Sequence, residues 1–327
     1  MVGRKKGMLE TAERDLWFAF SEAGTYYVDI AQCLSILNRK FYRQGMQYAV
    51  ENLEMNSDGV AVTSVSRLPD TWVVANAWEK CMRAWLAQQN EAAEEAGLES
   101  TIARYRDFKI YMDTTHTAGG GMENNAVPLG TPDLTSLPAA ARYNWEESQI
   151  VIPNDGAPGN TTERTFHMIG ANVGSSSAGM IEAYAESRAR PQSEDPSIVD
   201  VAFGGILGQM RDVGDDDQDT ITNFQDHNSN PPYVIGIPDS TEQFYPGGGN
   251  WAVVPSPHLE TIMTVRNTAP SGGTFATTFA PGFVAGCGLL KLSVTFPEGG
   301  TPFVYFKVGV AAGNYKGVAA RSMAVVN

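Results

Sequence analysis

The stretch "LLKLSVTFPEGGTPFVYFKVGV", residues 289–310, decides the fold class. In its first arm Leu290, Leu292, Val294 and Phe296 alternate with polar residues, and in its second arm Val304, Phe306, Val308 and Val310 do the same. A period of two sends alternate side chains to opposite faces of a pleated strand, so each arm reads as a strand with one face in a core. Proline and glycine separate the two arms, which is turn chemistry.

The pattern extends outward from this stretch. "FKIYM" carries it in Phe108, Ile110 and Met112, and "TYYVDIAQCLSIL", residues 25–37, in Val28, Ile30, Leu34 and Ile36. Weaker alternation marks strands near 48–55, 60–68, 148–152, 164–169 and 259–266. The 33 glycines and 18 prolines fall mostly between these short runs of Val, Ile, Phe, Tyr and Thr, as in a mainly β chain with many turns. Two segments break the pattern. In residues 71–96 Val74, Trp78, Cys81 or Met82, Trp85 and Leu86 recur at helical spacing, with Pro69 before, Asp70 or Thr71 able to cap and Gly97 able to end the helix. Its tryptophan stripe reads as core packing. A second helix is expected at 177–190, with serines capping it, Met180, Ile181 and Tyr184 on its apolar stripe, and Pro191 ending it.

At 327 residues the chain accommodates two units of ordinary domain size. The expected organisation is an N-terminal arm over 1–24, a first β unit over 25–170 and a second over 171–327, each with one helix. No run approaches the roughly 20 apolar residues of a spanning helix, and "VGRKKGMLETAERD" after Met1 lacks the apolar region of a secretory signal, so synthesis in a cytosol is expected. Cys33, Cys81 and Cys287, odd in number and set among apolar neighbours, read as reduced, buried thiols.

The formal net charge of −14 argues against a surface that wraps nucleic acid throughout. Residues 1–45 nevertheless carry seven basic residues against five acids. Arg4, Lys5 and Lys6, with Arg39, Lys40 and Arg43 in "LNRKFYRQG", form a candidate face for an anionic partner, with Phe41 and Tyr42 at the boundary. The same charges could equally pair with the acidic body of a neighbouring subunit.

Candidate chemistry is sparse. In "DDDQDTITNFQD", residues 215–226, Asp215, Asp217, Asp219 and Asp226 occupy positions one, three, five and twelve of a calcium loop. Position six is Thr220 rather than Gly and position twelve is the shorter Asp226, so a solvated acidic loop is the stronger reading. "GSSSA" around Ser176 misses the nucleophile-elbow pattern by one residue and reads as a helix cap. His116, His167, His227 and His258 lie far apart without metal-ligand spacing. No enzyme is indicated, and no cofactor is required.

Taken together, "VDIAQCLSILNRKFYRQG", "DTWVVANAWEKCMRAW", "DFKIYMD" and "GNYKGVAARSM" resemble major capsid proteins of small tailless icosahedral DNA phages, a family similar to the lipid-containing Flavobacterium phage group. The resemblance implies a double jelly roll, two eight-stranded β-sandwiches standing side by side and assembling as pseudo-hexagonal trimers into a virion shell. The partners it implies are further copies of the chain, minor capsid or vertex proteins, and a membrane or genome beneath the basic N-terminal face. It implies no small-molecule substrate. The alternative is a β-sandwich phage spike, adhesin or carbohydrate-binding module with calcium in the Asp-rich loop.

Overall fold

The computed structural model describes residues 11–97, 106–118, 121–122, 125–131, 133–137, 145–153, 161–174, 176–188, 260–268, 276–297 and 302–325. The described residues are mainly β. Eight strands build a sandwich: β1 (Asp15–Phe20), β2 (Gly24–Asp29), β3 (Met46–Ser57) and β4 (Val60–Arg67) from the front of the chain, β9 (Glu260–Thr268), β10 (Ala276–Ala285), β11 (Leu289–Thr295) and β12 (Val304–Val310) from the back. Their pairing is nested. β1 pairs with β12, β2 with β11, β3 with β10 and β4 with β9, all antiparallel, so the chain doubles back on itself as one long two-stranded ribbon. Further pairings of β3 with β12 and of β4 with β11 close that ribbon into two four-stranded paths, β1-β12-β3-β10 and β2-β11-β4-β9.

The residues that alternate in 289–310 fill the space between the sheets. Leu290, Leu292 and Val294 meet Val304, Phe306, Val308 and Val310, none more than 1% exposed, together with Leu16, Phe18, Val28, Leu53 and Met55. Burying each such side chain contributes about 1.5–3 kcal/mol, which makes this face the main source of register specificity. Gly282 permits a close approach of β10 to β3: a Cβ there would stand 2.3 Å from the Val50 carbonyl oxygen.

Two expected elements differ in kind. Residues 25–37 do not form one strand: β2 ends at Asp29 and helix α1 (Ile30–Asn38) follows. The Asp29 carboxylate accepts from the N–H groups of Ala31 at 2.9 Å and Gln32 at 3.2 Å, donors that a continuing strand would have sent to a neighbour. Ile30, Cys33, Leu34 and Leu37 then recur at helical spacing against the core. The expected N-terminal arm also differs, because from Asp15 it is strand β1, with Leu16, Phe18 and Phe20 buried.

The segment between β4 and β9 is a long insertion at the ribbon's tip. It contains α2 (Trp72–Glu95), β5 (Tyr111–Asp113), α3 (Thr114–Ala118), β6 (Gln149–Pro153), β7 (Thr161–Ile169), β8 (Ser177–Gly179) and α4 (Met180–Arg188). α2 lies where its apolar stripe predicts and is followed by Gly97 at φ 65°. The expected second helix is shorter at its start, because Ser177 pairs in β8 with Thr165 rather than capping. β5, β7 and β6 form a mixed sheet with β8 against β7. Trp78 and Trp85 of α2 pack on Phe108, and Phe108 on Phe166, in a second apolar cluster that reaches Leu289 of the sandwich. β7 and β8 pair across the expected division at 170/171, and the sandwich draws strands from both sides of it. After β12 the short strands β13 (Ala312–Gly313), β14 (Gly317–Val318) and β15 (Ala320–Ser322) return the chain to β3.

Cys33, Cys81 and Cys287 are free and buried, as their setting predicts. No helix among the described residues is long and apolar enough to cross a membrane.

Candidate functional site

Polar residues concentrate along the seam where the insertion covers the outer face of β2 and β11. Lys291 alternates out of the core, and its Nζ lies 2.8 Å from Asp113 Oδ2 at the end of β5, with Asp113 fully buried. Asp113 Oδ1 also accepts from Tyr27 Oη at 2.7 Å and from the His116 N–H at 2.8 Å. His116 Nδ1 accepts from the Met112 N–H at 3.1 Å, so its proton sits on Nε2, which donates to Asn125 Oδ1 at 2.8 Å. The ring stacks on Tyr27 at 4.0 Å with a 4° interplanar angle. Burial without an aqueous shell holds this imidazole neutral, with its pKa lowered to about 4.

A second knot joins the same layers. Asp29 Oδ2 accepts from Gln44 Nε2 at 2.9 Å and Trp145 Nε1 at 2.8 Å, while Gln44 Oε1 accepts from the Ile110 N–H at 2.6 Å. Four donors favour the Asp29 carboxylate, yet complete burial outweighs them and raises its pKa to about 6. Every functional atom of Asp113, His116 and Lys291 is thus engaged in holding layers together. Asn125 in turn donates to Gln32 Oε1 at 3.0 Å, and Gln32 Nε2 is buried without a partner among the described residues, so the seam is a clamp in which most, not all, buried polar atoms are bonded.

The predicted site residues are placed as follows. Asp215, Asp217, Asp219 and Asp226, and Arg4, Lys5 and Lys6, lie outside the described residues. Among the described residues no group of three or more His, Cys, Asp or Glu is disposed to hold a metal ion. Arg39 is exposed at the end of α1 in a left-handed conformation, φ 52°, and Lys40 is half-buried. Arg43 turns to the chain itself, donating to the Arg106 carbonyl at 2.7 Å and standing 3.6 Å from Asp107. The aromatics between these cations point inward, with Tyr42 fully buried and its hydroxyl on the Lys316 carbonyl at 2.8 Å. Ser176 donates to the Val173 carbonyl, and it is Ser177 that meets His167, Oγ to Nδ1 at 2.8 Å, both buried. His167 Nε2 donates to the Ala171 carbonyl at 2.9 Å, so the pair locks a turn.

Two surface features were not singled out by sequence reasoning. One is a cleft of about 360 Å³ between α2 and the loop after α1, floored by Trp78, Met82, Trp85 and Leu86 and rimmed by Arg43 and Arg106. Gly45 lets the Trp78 indole in, since a Cβ there would stand 2.5 Å from its Cζ2. Trp78 is 5% exposed and its Nε1 is buried with no hydrogen-bond partner among the described residues. The other is the outer face of the β1-β12-β3-β10 sheet. There Trp17, Lys307, Glu54 and Phe279 stand in one cross-strand row, Lys307 paired with Glu54 at 2.8 Å, and Phe279 is 68% exposed. Such a row lies on a face that a monomer would be expected to keep polar.

No known protein family, curated protein or solved structure matches the chain.

Proposed function

We propose that the chain is a structural subunit of an icosahedral virion shell, a major capsid protein that assembles through contacts between its own copies, in pseudo-hexagonal trimers. The observation that carries the reading is the nested ribbon. Strands pairing first with last, second with next-to-last, and so inward, rolled into two four-stranded sheets, are the winding of a jelly roll, an architecture of viral capsid and lectin domains. The family resemblance supports the capsid member of that pair. So does the clamp, because a shell subunit needs its layers locked: the carboxylates of Asp29 and Asp113 in the seam are spent on internal bonds.

The double form of the fold requires a second eight-stranded sandwich within the insertion. The four strands described there pair twice in parallel and once antiparallel, so the reading rests on the first sandwich. Symmetry then multiplies modest contacts into a closed cage. Negative-stain microscopy with light scattering on the purified chain tests this. Pseudo-hexagonal plates or shells are expected as concentration rises, and discrete small particles under all assembly conditions would overturn it.

A further inference from the structure

Lys291 and Asp113 stand 178 positions apart in the chain and meet at one contact, Nζ to Oδ2 at 2.8 Å, in a seam that excludes most water: the carboxylate is fully buried and the lysine side chain 13% exposed. The two oxygens of Asp113 are not equivalent. Oδ1 accepts from two neutral donors, the Tyr27 hydroxyl at 2.7 Å and the His116 N–H at 2.8 Å, whereas among the described residues Oδ2 meets Lys291 alone. Burial and the neighbouring carboxylate keep the Tyr27 phenol protonated, so that it donates. This division suits acyl chemistry: one oxygen sits where an oxyanion would be held, and the other faces a primary amine. We propose that the pair is the reactant state of an intramolecular amide bond, Lys291 Nζ to Asp113 Cγ, which joins strand β11 of the sandwich covalently to the insertion.

The step balances with the atoms present. The lysine ammonium passes one proton to Oδ2 along the 2.8 Å hydrogen bond, which cancels two charges that are costly to hold out of water. The amine lone pair then attacks Cγ, the double bond to Oδ1 opens, and the negative charge on Oδ1 is held by the Tyr27 hydroxyl and the His116 N–H. A proton moves from the nitrogen to the Oδ2 hydroxyl, the Cγ–Oδ2 bond breaks, and water leaves as Oδ1 regains its double bond. Nothing is oxidised or reduced. Both partners are held by paired strands, Lys291 opposite Tyr27 in the β2–β11 register and Asp113 at the end of β5, and groups kept in contact this way react with effective molarities of about 10⁵–10⁸ M. The product closes a loop across the seam and constrains the unfolded chain as a disulfide would, in a chain whose three cysteines are free. The bond forms within one copy, so it goes beyond the reading of the chain as a shell subunit and stands whether or not copies assemble.

Intact-mass spectrometry of the denatured full chain, sampled from purification through several weeks of storage in the folded state at neutral pH, reads the bond. Wild type is expected to lose the mass of one water, and its tryptic digest to contain a branched peptide joining the segment with Lys291 to the segment with Asp113. Lys291→Arg keeps a cation beside Asp113 but has no nucleophilic amine, and should retain its full mass. Tyr27→Phe keeps the ring on His116 and removes one donor to Oδ1, so the bond should form about a hundredfold more slowly. Circular dichroism checks that both variants fold. Wild type that holds its full mass throughout overturns the proposal and leaves the contact an ion pair only. Water loss without the branched peptide, or the same loss in Lys291→Arg, places the chemistry elsewhere and overturns it equally, and Tyr27→Phe linking as fast as wild type overturns the role given to the tyrosine.

Discussion

The buried His116 imidazole makes the fold sensitive to acid in a calculable way. Its pKa falls from 6.5 to about 4 on folding, chiefly through burial, against the opposing pull of its bond to Asn125 and the nearby Asp113 carboxylate. Below pH 6.5 the unfolded chain binds a proton that the folded chain refuses, so stability is complete above that value and is lost as pH falls towards 4. At about 1.4 kcal/mol per pH unit the loss approaches 3 kcal/mol. Asp29 acts with the opposite sign. Its carboxyl is raised from 3.8 to about 6, so the folded chain holds a proton more readily than the unfolded one, and about 2 kcal/mol is gained as pH falls from 6 to 4. The two effects offset each other, and the unmodified protein should show a shallow profile over this range.

The variant His116→Asn separates them. Asn retains an acceptor for the Met112 N–H but cannot be protonated. Urea denaturation at half-unit steps from pH 4 to 7 gives the stability of both proteins. The difference, wild type minus variant, should fall by about 3 kcal/mol from pH 7 to pH 4, because groups common to both cancel. Parallel curves across that range would falsify the assignment of a neutral, proton-refusing His116, since a ring able to charge in place would leave no slope.

Three other perturbations bear on the same architecture. Gly45→Ala drives a Cβ to 2.5 Å from Trp78 Cζ2 and should cost about 1–3 kcal/mol in denaturant titrations; a variant as stable as wild type would mean that the indole is not pinned there. Lys291→Met leaves the fully buried Asp113 carboxylate without its cation and should cost about 3–5 kcal/mol, with part recovered when Asp113→Asn is added. No recovery in the double variant would show that the charge is not what the lysine answers. Gln88→Ala uncovers the edge of β6, where the Gln88 amide donates to the Val151 carbonyl at 2.6 Å and accepts from its N–H at 2.8 Å. Stability should change by about 1 kcal/mol or less while scattering at high concentration rises faster; unchanged scattering would indicate that the edge is protected otherwise.

The strands were legible where one face alone is buried. Residues 289–310 announce themselves because core-facing and outward residues alternate along most of β11 and β12, and β3 and β4 do so more weakly because adjacent buried residues, Gln47 with Tyr48 and Val60 with Ala61, interrupt the period. Strand β1 carries the same signal in Leu16, Phe18 and Phe20, but the basic residues before it drew the segment into an expected arm. Residues 25–37 read as one strand because Val28, Ile30, Leu34 and Ile36 satisfy period two at four points, yet Ile30, Cys33, Leu34 and Leu37 satisfy the helical period fully. Asp29 was the deciding residue, a capping type at the change of period. The nesting of strands from opposite ends leaves no local trace, because each strand's sequence is the same whichever neighbour it meets. The seam was illegible for the same reason: Tyr27, Asp113, His116 and Lys291 are brought together across 264 positions, the span between Tyr27 and Lys291.

The insertion also explains which surfaces remain for contact. Sheet edges are the usual hazard of a β subunit at high concentration, and the β6 edge is closed twice, by the Gln88 amide at Val151 and by Pro153, which has no N–H to offer. The outer face of β2 and β11 is taken by the clamp through Tyr27 and Lys291. On the β4 and β9 side, Ser64 meets Thr264 and Ser66 meets Thr261 through their hydroxyls, a face suited to water. The outer face of β1, β12, β3 and β10 differs, because its Lys307–Glu54 pair is bracketed by Trp17 and Phe279 rather than by hydroxyls. A partner on that face would bury rings and leave the central ion pair already neutralised, so association there need not strand a charge.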